Sequence, residues 1–170
     1  MSALNRMSGA LVLARIVLTG AVLLGSPSWI SAAEPEARPP LKAGIFLVAS
    51  PNLGDPNFRQ TVVLVCIYGP EGTLGVIVNR PTDLLLSEAL PAMTALHGKP
   101  DVLYAGGPVQ PNGLMLLFHV EREPADTRQV LQDVYMGGNI DTLARILSEP
   151  KAKEAFRAYA GYAGWAPGQL

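Results

Sequence analysis

The sequence predicts a single α+β domain, and three observations carry that expectation. Strand-length apolar runs separated by turn-forming clusters begin near Ala43, helical patterning is confined to short stretches, and strands and helices do not alternate in strict βαβ order. The chain has 170 residues, 49% hydrophobic and 16% charged, which suits one ordinary core and is too little for two. Low charge with high apolar content excludes disorder as the main state. A formal net charge of −1 gives no polyelectrolyte basis for holding nucleic acid or acidic lipid.

Residues 44–49 (GIFLVA) are a short apolar run closed by Ser50-Pro51, and read as a strand. Residues 61–68 (TVVLVCIY) are β-branched and apolar on both faces, which predicts a strand covered on two sides. Gly69-Pro70-Glu71-Gly72 is a turn and residues 74–79 return from it, forming a hairpin with a four- or five-residue loop. Pro81 has no amide for the ladder and ends that strand. Thr82-Asp83 caps a short helix containing Leu86 to Leu90. Residues 102–104 and 114–120 are strands joined through Gly106-Gly107-Pro108, and residues 130–136 are another. Asn139 or Asp141 caps a helix over residues 142–148 with Leu143, Ile146 and Leu147 on one face, continued after Pro150 by residues 151–156. Residues 157–162 enter a last strand, and residues 164–168 are loop. One small sheet, curled so that most strands are buried, accommodates these elements.

The N-terminus differs in kind. Arg6 and Arg15 precede or enter an apolar run over residues 16–24, Pro27 breaks it, and Ser31-Ala32-Ala33 offers small residues to a signal peptidase. Residues 1–33 are therefore expected to be a cleaved signal peptide, residues 34–42 a polar tether and residues 43–170 the folded domain. The mature protein is then exported, periplasmic or otherwise extracytoplasmic, with no stable membrane span. The alternative is an uncleaved anchor over residues 11–30, in which Arg15 costs a few kcal/mol. Cys66 is the only cysteine and has no internal disulfide partner.

Candidates for chemistry are few. Asp55 and Asn57 lie in a turn-rich segment after the first strand, where they either face a ligand at the sheet edge or bond their own backbone in an Asx turn. Gly106-Gly107-Pro108 would offer bare amides to an anion, but it lacks phosphate-loop spacing and also suits a tight turn. With His97 and His119 the only histidines, no metal site and no cofactor are expected. His97 sits in a polar segment. His119 ends an apolar run, where it is either a general base for an approaching serine or acid, or a satisfied, partly buried side chain. Cys66, flanked by Val65 and Ile67, reads as a small core residue. Gly-x-Ser-x-Gly, His-Glu-x-x-His and Cys-x-x-Cys are all absent from the sequence.

Four segments are more specific together. They are Gly44-x-Phe46-Leu47-Val48-Ala49-Ser50-Pro51 with Asp55-Pro56-Asn57-Phe58-x-x-Thr61-Val62-Val63, then Gly75-Val76-Ile77-Val78-Asn79-Arg80-Pro81, then Gly106-Gly107-Pro108-Val109, and finally Gly161-Tyr162-Ala163-Gly164-Trp165-x-Pro167-Gly168-Gln169-Leu170. In this order and spacing they resemble the YqgE/AlgH family. The resemblance implies a branched, mixed sheet curled into a pseudo-barrel with flanking helices. It brings no established reaction, and some members are labelled transcriptional regulators. The family pattern falls on Asp55, Asn57, Asn79, Gly106, Gly107, His119, Trp165 and Gln169, which mark a surface for a ligand or partner. The family continues past Gly-Gln-Leu, so the domain is expected to lack that C-terminal segment.

The leading expectation is a non-enzymatic regulatory or binding module acting on an unidentified protein or small-molecule partner. A transcriptional regulator is an alternative on the family label alone, and an acidic mature chain without a basic helix argues against direct nucleic-acid contact. A hydrolase using His119 with Asp55 or Asn57 is the other. Pro167-Gly168-Gln169-Leu170 resembles the first turn of a helix cut short, so residues 166–170 are expected to fray. That would expose an apolar patch around Trp165 and favour self-association.

Overall fold

The computed structural model describes residues 40–148 and 154–170. The expected signal peptide (residues 1–33), residues 34–39 of the expected tether and residues 151–153 of the expected helix extension lie outside them. Nine strands occur among the described residues: β1 (Phe46–Val48), β2 (Val62–Gly69), β3 (Gly72–Ile77), β4 (Pro81–Leu85), β5 (Val102–Ala105), β6 (Val109–His119), β7 (Arg128–Leu131), β8 (Val134–Gly137) and β9 (Ala155–Trp165). The helices are a single turn, α1 (Leu86–Ala89), a 3-10 turn at Thr94–Leu96, and α2 (Ile140–Ser148).

The main path of the sheet runs β1-β2-β3-β9-β6-β8-β7, with β4 and β5 branching from it. β9 is the branch point. One edge pairs antiparallel with β6, from Ala155 opposite His119 to Tyr162 opposite Val109. Its other edge pairs parallel with β5 through Ala158, Tyr159 and Ala160, then antiparallel with β3 through Ala163, Gly164 and Trp165. The handover between β5 and β3 requires backbones to approach more closely than a Cβ allows. A Cβ on Gly107 would fall on the Tyr162 carbonyl and the Ala163 nitrogen, and one on Gly106 would fall on the Gly161 carbonyl oxygen. Gly161 itself sits at φ +68, in the left-handed region that glycine enters without steric cost. Gly106 fixes the junction by donating to the Ala160 carbonyl at 2.8 Å and accepting from the Ile77 amide at 2.8 Å.

The sheet curls until its ends meet. Gly44, just before β1, donates to the Val65 carbonyl and lies so close to β7 that a Cβ there would come within 2.7 Å of Leu131 and the Val130 carbonyl. Inside the curl, Leu64 and Cys66 of β2, Val76 of β3, Leu117, Val130, Met136 and Tyr159 form one buried cluster. Outside it, Leu116, Phe118, Tyr135 and Ala158 are covered by Leu86, Leu96, Leu143, Ile146 and Leu147 of the helical segments. A smaller outer cluster joins Val63, Ile77 and Ala163 to Leu47, Phe58 and Trp165. β2 is thus covered on both faces, as its unbroken apolar run implies, with a bulge between Val65 and Ile67. The pseudo-barrel expected from the resemblance is the fold observed.

Several elements differ from their sequence reading. The β2–β3 loop is only Pro70-Glu71, because Gly69 and Gly72 pair. Pro81 opens the short strand β4 instead of closing one, since a proline at a strand's first residue loses no ladder bond. Thr82 bonds the Leu103 carbonyl through its hydroxyl and so joins β4 to β5 rather than capping a helix. Residues 130–136 are a hairpin, β7 and β8, turning at Asp133 with φ 60. Ala155 and Phe156, expected in a helix, are the start of β9, and Gly164 and Trp165, expected in a loop, are its end. Asn139, not Asp141, caps α2: its Oδ1 accepts from the Thr142 amide at 3.0 Å.

Gly107→Ala should lower the free energy of unfolding by about 2–3 kcal/mol, because the overlapped atoms are backbone and cannot rotate away. Gly54→Ala, with open space at its Cβ position, should cost less than about 0.5 kcal/mol. Urea unfolding distinguishes them. Equal small losses in both would contradict the close-approach account of the branch.

Candidate functional site

The segment carrying Asp55 and Asn57 is a lashed loop. Asp55 Oδ1 accepts the Asn57 amide at 2.7 Å, an Asx turn, and the Asp55 carbonyl accepts the amides of Phe58 and Arg59. Arg80 donates to the Asn57 carbonyl at 2.6 Å and to the Arg59 carbonyl at 3.1 Å. Asn79, just past the end of β3, continues the ladder with its side chain. Its Oδ1 accepts the Val62 amide at 2.8 Å, and its Nδ2 donates to the Gln60 carbonyl at 3.0 Å. Of the two readings open for Asp55, the Asx turn is the one the geometry supports. Gly106 likewise spends its amide on Ala160 at the sheet branch and presents no bare donor to an anion.

At the C-terminus the expected helical first turn is a tight turn. Gly168 takes φ +74 after Pro167, the Gln169 amide donates to the Ala166 carbonyl at 3.1 Å, and Gln169 Oε1 accepts the Ala166 amide at 2.9 Å. The Trp165 indole stacks on Phe58 at 5.7 Å between ring centroids and packs on Val63, Ile77 and Ala163. The patch expected around it is therefore partly covered. What stays open is a cleft of about 260 Å³ bordered by Val48, Leu53, Asp55, Trp165 and Leu170.

His119 lies elsewhere. It is exposed at the end of β6, not partly buried, and lines a cavity of about 310 Å³ at the mouth of the curled sheet. Leu64, Leu117 and Tyr159 form the inner wall, and Phe46, Leu131 and Val134 rise around them. Arg157 completes the lining. Its guanidinium sits 5.0 Å over the Tyr104 ring and donates to the Val78 carbonyl at 3.4 Å. No Asp or Glu lines this cavity. Burial pushes the Tyr159 phenol up to about 12, partly opposed by the charge of Arg157 and by a hydrogen bond with its side chain. Burial also pushes the Cys66 thiol up to about 12, against a hydrogen bond from the Val76 backbone. Both stay protonated near neutrality, so Cys66 behaves as the core residue its flanks suggest.

The structure therefore brings Asp55, Asn57 and Asn79 together around Phe58 and Arg80, while His119 and Asp55 line separate cavities. The pair a hydrolase would need is not assembled. Phe46, Leu131, Arg157 and Tyr159 were not among the sequence candidates. Their convergence depends on the meeting of β1, β7 and β9, which no local pattern records.

Residues 46–170 match a family model described as AlgH-like. A UPF0301 protein of Magnetococcus marinus is 37% identical over 130 residues, covering 75% of this chain and 69% of that protein. A UPF0301 protein of Streptomyces coelicolor is 40% identical over 133 residues, covering 75% of this chain and 67% of its own. Among solved structures, AlgH from Pseudomonas aeruginosa superposes with a TM-score of 0.58 at 32% identity, over 74% of this chain and 68% of that one. Protein DIP2367 from Corynebacterium diphtheriae gives 0.65 at 25% identity, over 79% and 71%.

Asn79→Ala removes two hydrogen bonds at the loop root and should lower stability by about 1–2 kcal/mol. The urea midpoint should fall with an unchanged slope. An unmoved midpoint would show that the loop is held without this side chain.

Proposed function

The chain belongs to the AlgH-like family, whose UPF0301 members are uncharacterised, and we propose that it is an exported, non-enzymatic binding module that takes a small molecule at the mouth of its curled sheet. The observation that carries this reading is the 310 Å³ cavity, which combines apolar walls with a basic rim. Ligand sites favour concave, mostly apolar surfaces with a few placed polar groups, and this volume lies at the small end of their range. The separation of His119 from Asp55 favours binding over hydrolysis, because proton transfer needs the two within hydrogen-bond reach. A regulator reading nucleic acid through a helix has little support. The longer described helix, α2, carries one arginine, Arg145, and that residue pairs with Glu154 at 3.1 Å. Export is supported by the N-terminal pattern of Arg6, Arg15, the apolar run and Ser31-Ala32-Ala33.

Amide chemical-shift mapping against a library of small amphiphiles should cluster its perturbations on Leu64, Leu117, Leu131 and Arg157. Clustering at the Leu53–Trp165 cleft instead would overturn the choice of site. N-terminal sequencing of the native protein should begin near Glu34, and an intact Met1 in a soluble cytoplasmic fraction would overturn export.

A further inference from the structure

The composition of the mouth is specific enough to name a ligand class. At roughly 30 Å³ per water-sized group, a volume of about 310 Å³ holds roughly ten non-hydrogen atoms. Phe46, Leu64, Leu117 and Leu131 offer them an apolar bed, closed at its inner end by Tyr159, which is 1% exposed.

Polarity in the lining is one-sided. Arg157 and His119 stand at the rim, with no carboxylate in the lining. Arg157 makes no ion pair with another described residue. Yet its guanidinium is held in place, over the Tyr104 ring and against the Val78 carbonyl. With one donor on the Val78 carbonyl and the Tyr159 hydroxyl also within its reach, the guanidinium keeps further donors free, and a planar fork of donors matches a carboxylate through two parallel bonds. Holding the fork beforehand reduces the side-chain entropy lost on binding. Tyr159 stays protonated and adds no opposing charge. The fit is poorer for a phosphate dianion. Such groups are usually cradled by several backbone amides at a helix N-terminus or nest, and this mouth is built from strands.

We propose that the mouth binds a medium-chain monocarboxylate, an acyl chain of about eight carbons laid along Phe46, Leu64 and Leu131 with its carboxylate on Arg157 and His119 beside it. This rests on the binding-module reading above and adds head-group selection by Arg157. Binding is non-covalent, and the acid is taken up as its anion.

The test uses the isotope-labelled full chain titrated in parallel with sodium octanoate, octan-1-ol and octyl phosphate. Octanoate should saturably shift the signals of Leu131, Arg157 and His119, with a dissociation constant at least about tenfold below that of octan-1-ol and below that of octyl phosphate. Arg157→Gln should abolish the preference for octanoate over octan-1-ol while leaving the alcohol's affinity within about twofold. Leu131→Trp, which fills the bed, should weaken both. Equal affinity for acid and alcohol in the wild-type protein would overturn the carboxylate assignment and leave the cavity as a binding site. Tighter binding of octyl phosphate would overturn it in favour of a phosphate head group. If none of the three compounds shifts the mouth, both the ligand class and the choice of site fail. The wild-type comparison decides the matter even if a variant does not fold.

Discussion

Almost everything in this domain depends on one strand having three partners. β9 holds β6 along one edge and shares the other between β5 and β3. A strand with side chains throughout cannot make that exchange, because the two partner backbones must come within a Cβ's radius of its own. Gly106, Gly107 and Gly161 remove the obstruction where the edge changes hands. The net worth of any one ladder bond is only about 0.5–1.5 kcal/mol, but misplacing this junction would lose two ladders together with the inner cluster around Tyr159. A single Cβ there is accordingly more damaging than most surface substitutions.

The same constraint accounts for the residues that carry the family resemblance. Asn79 and Arg80 leave β3 beside the branch and tie the carbonyls of residues 57, 59 and 60. Asp55 closes the turn between them. Phe58 is thereby placed to stack on Trp165, at the end of β9. Gln169 then closes the turn that follows the strand. Seven of the eight signature positions singled out from the sequence support this junction, its loop or its terminus through backbone, hydrogen-bond or packing contacts. Only His119 faces the mouth of the curl. Specific sequence marks therefore locate the architecture, and the cavity with the basic rim lies among residues of no recognisable motif.

Legibility followed the range of the interactions. β2, the apolar face of α2 and the strand character of residues 102–104 are readable because propensity and periodicity act within one element. β9 was half-read. Its small residues Ala158, Ala160, Gly161, Ala163 and Gly164 have weak strand propensity, and packing on both edges overrides that preference. Thr82-Asp83 has the chemistry of a helix cap, and the bond that claims Thr82 for β4 comes from Leu103, 21 residues away. The cavity at the mouth is the least legible. Phe46, Leu131 and Arg157 are ordinary strand residues until the curl sets them around one space.

Native-state hydrogen exchange tests the central role of β9 most directly. The amide of Gly106 lies outside any strand yet donates to Ala160 at the branch. It should exchange as slowly as the amides of Ala158 to Ala160 and only through global unfolding. Exchange of Gly106 at the rate of an open loop, or of β9 faster than β2, would contradict the account.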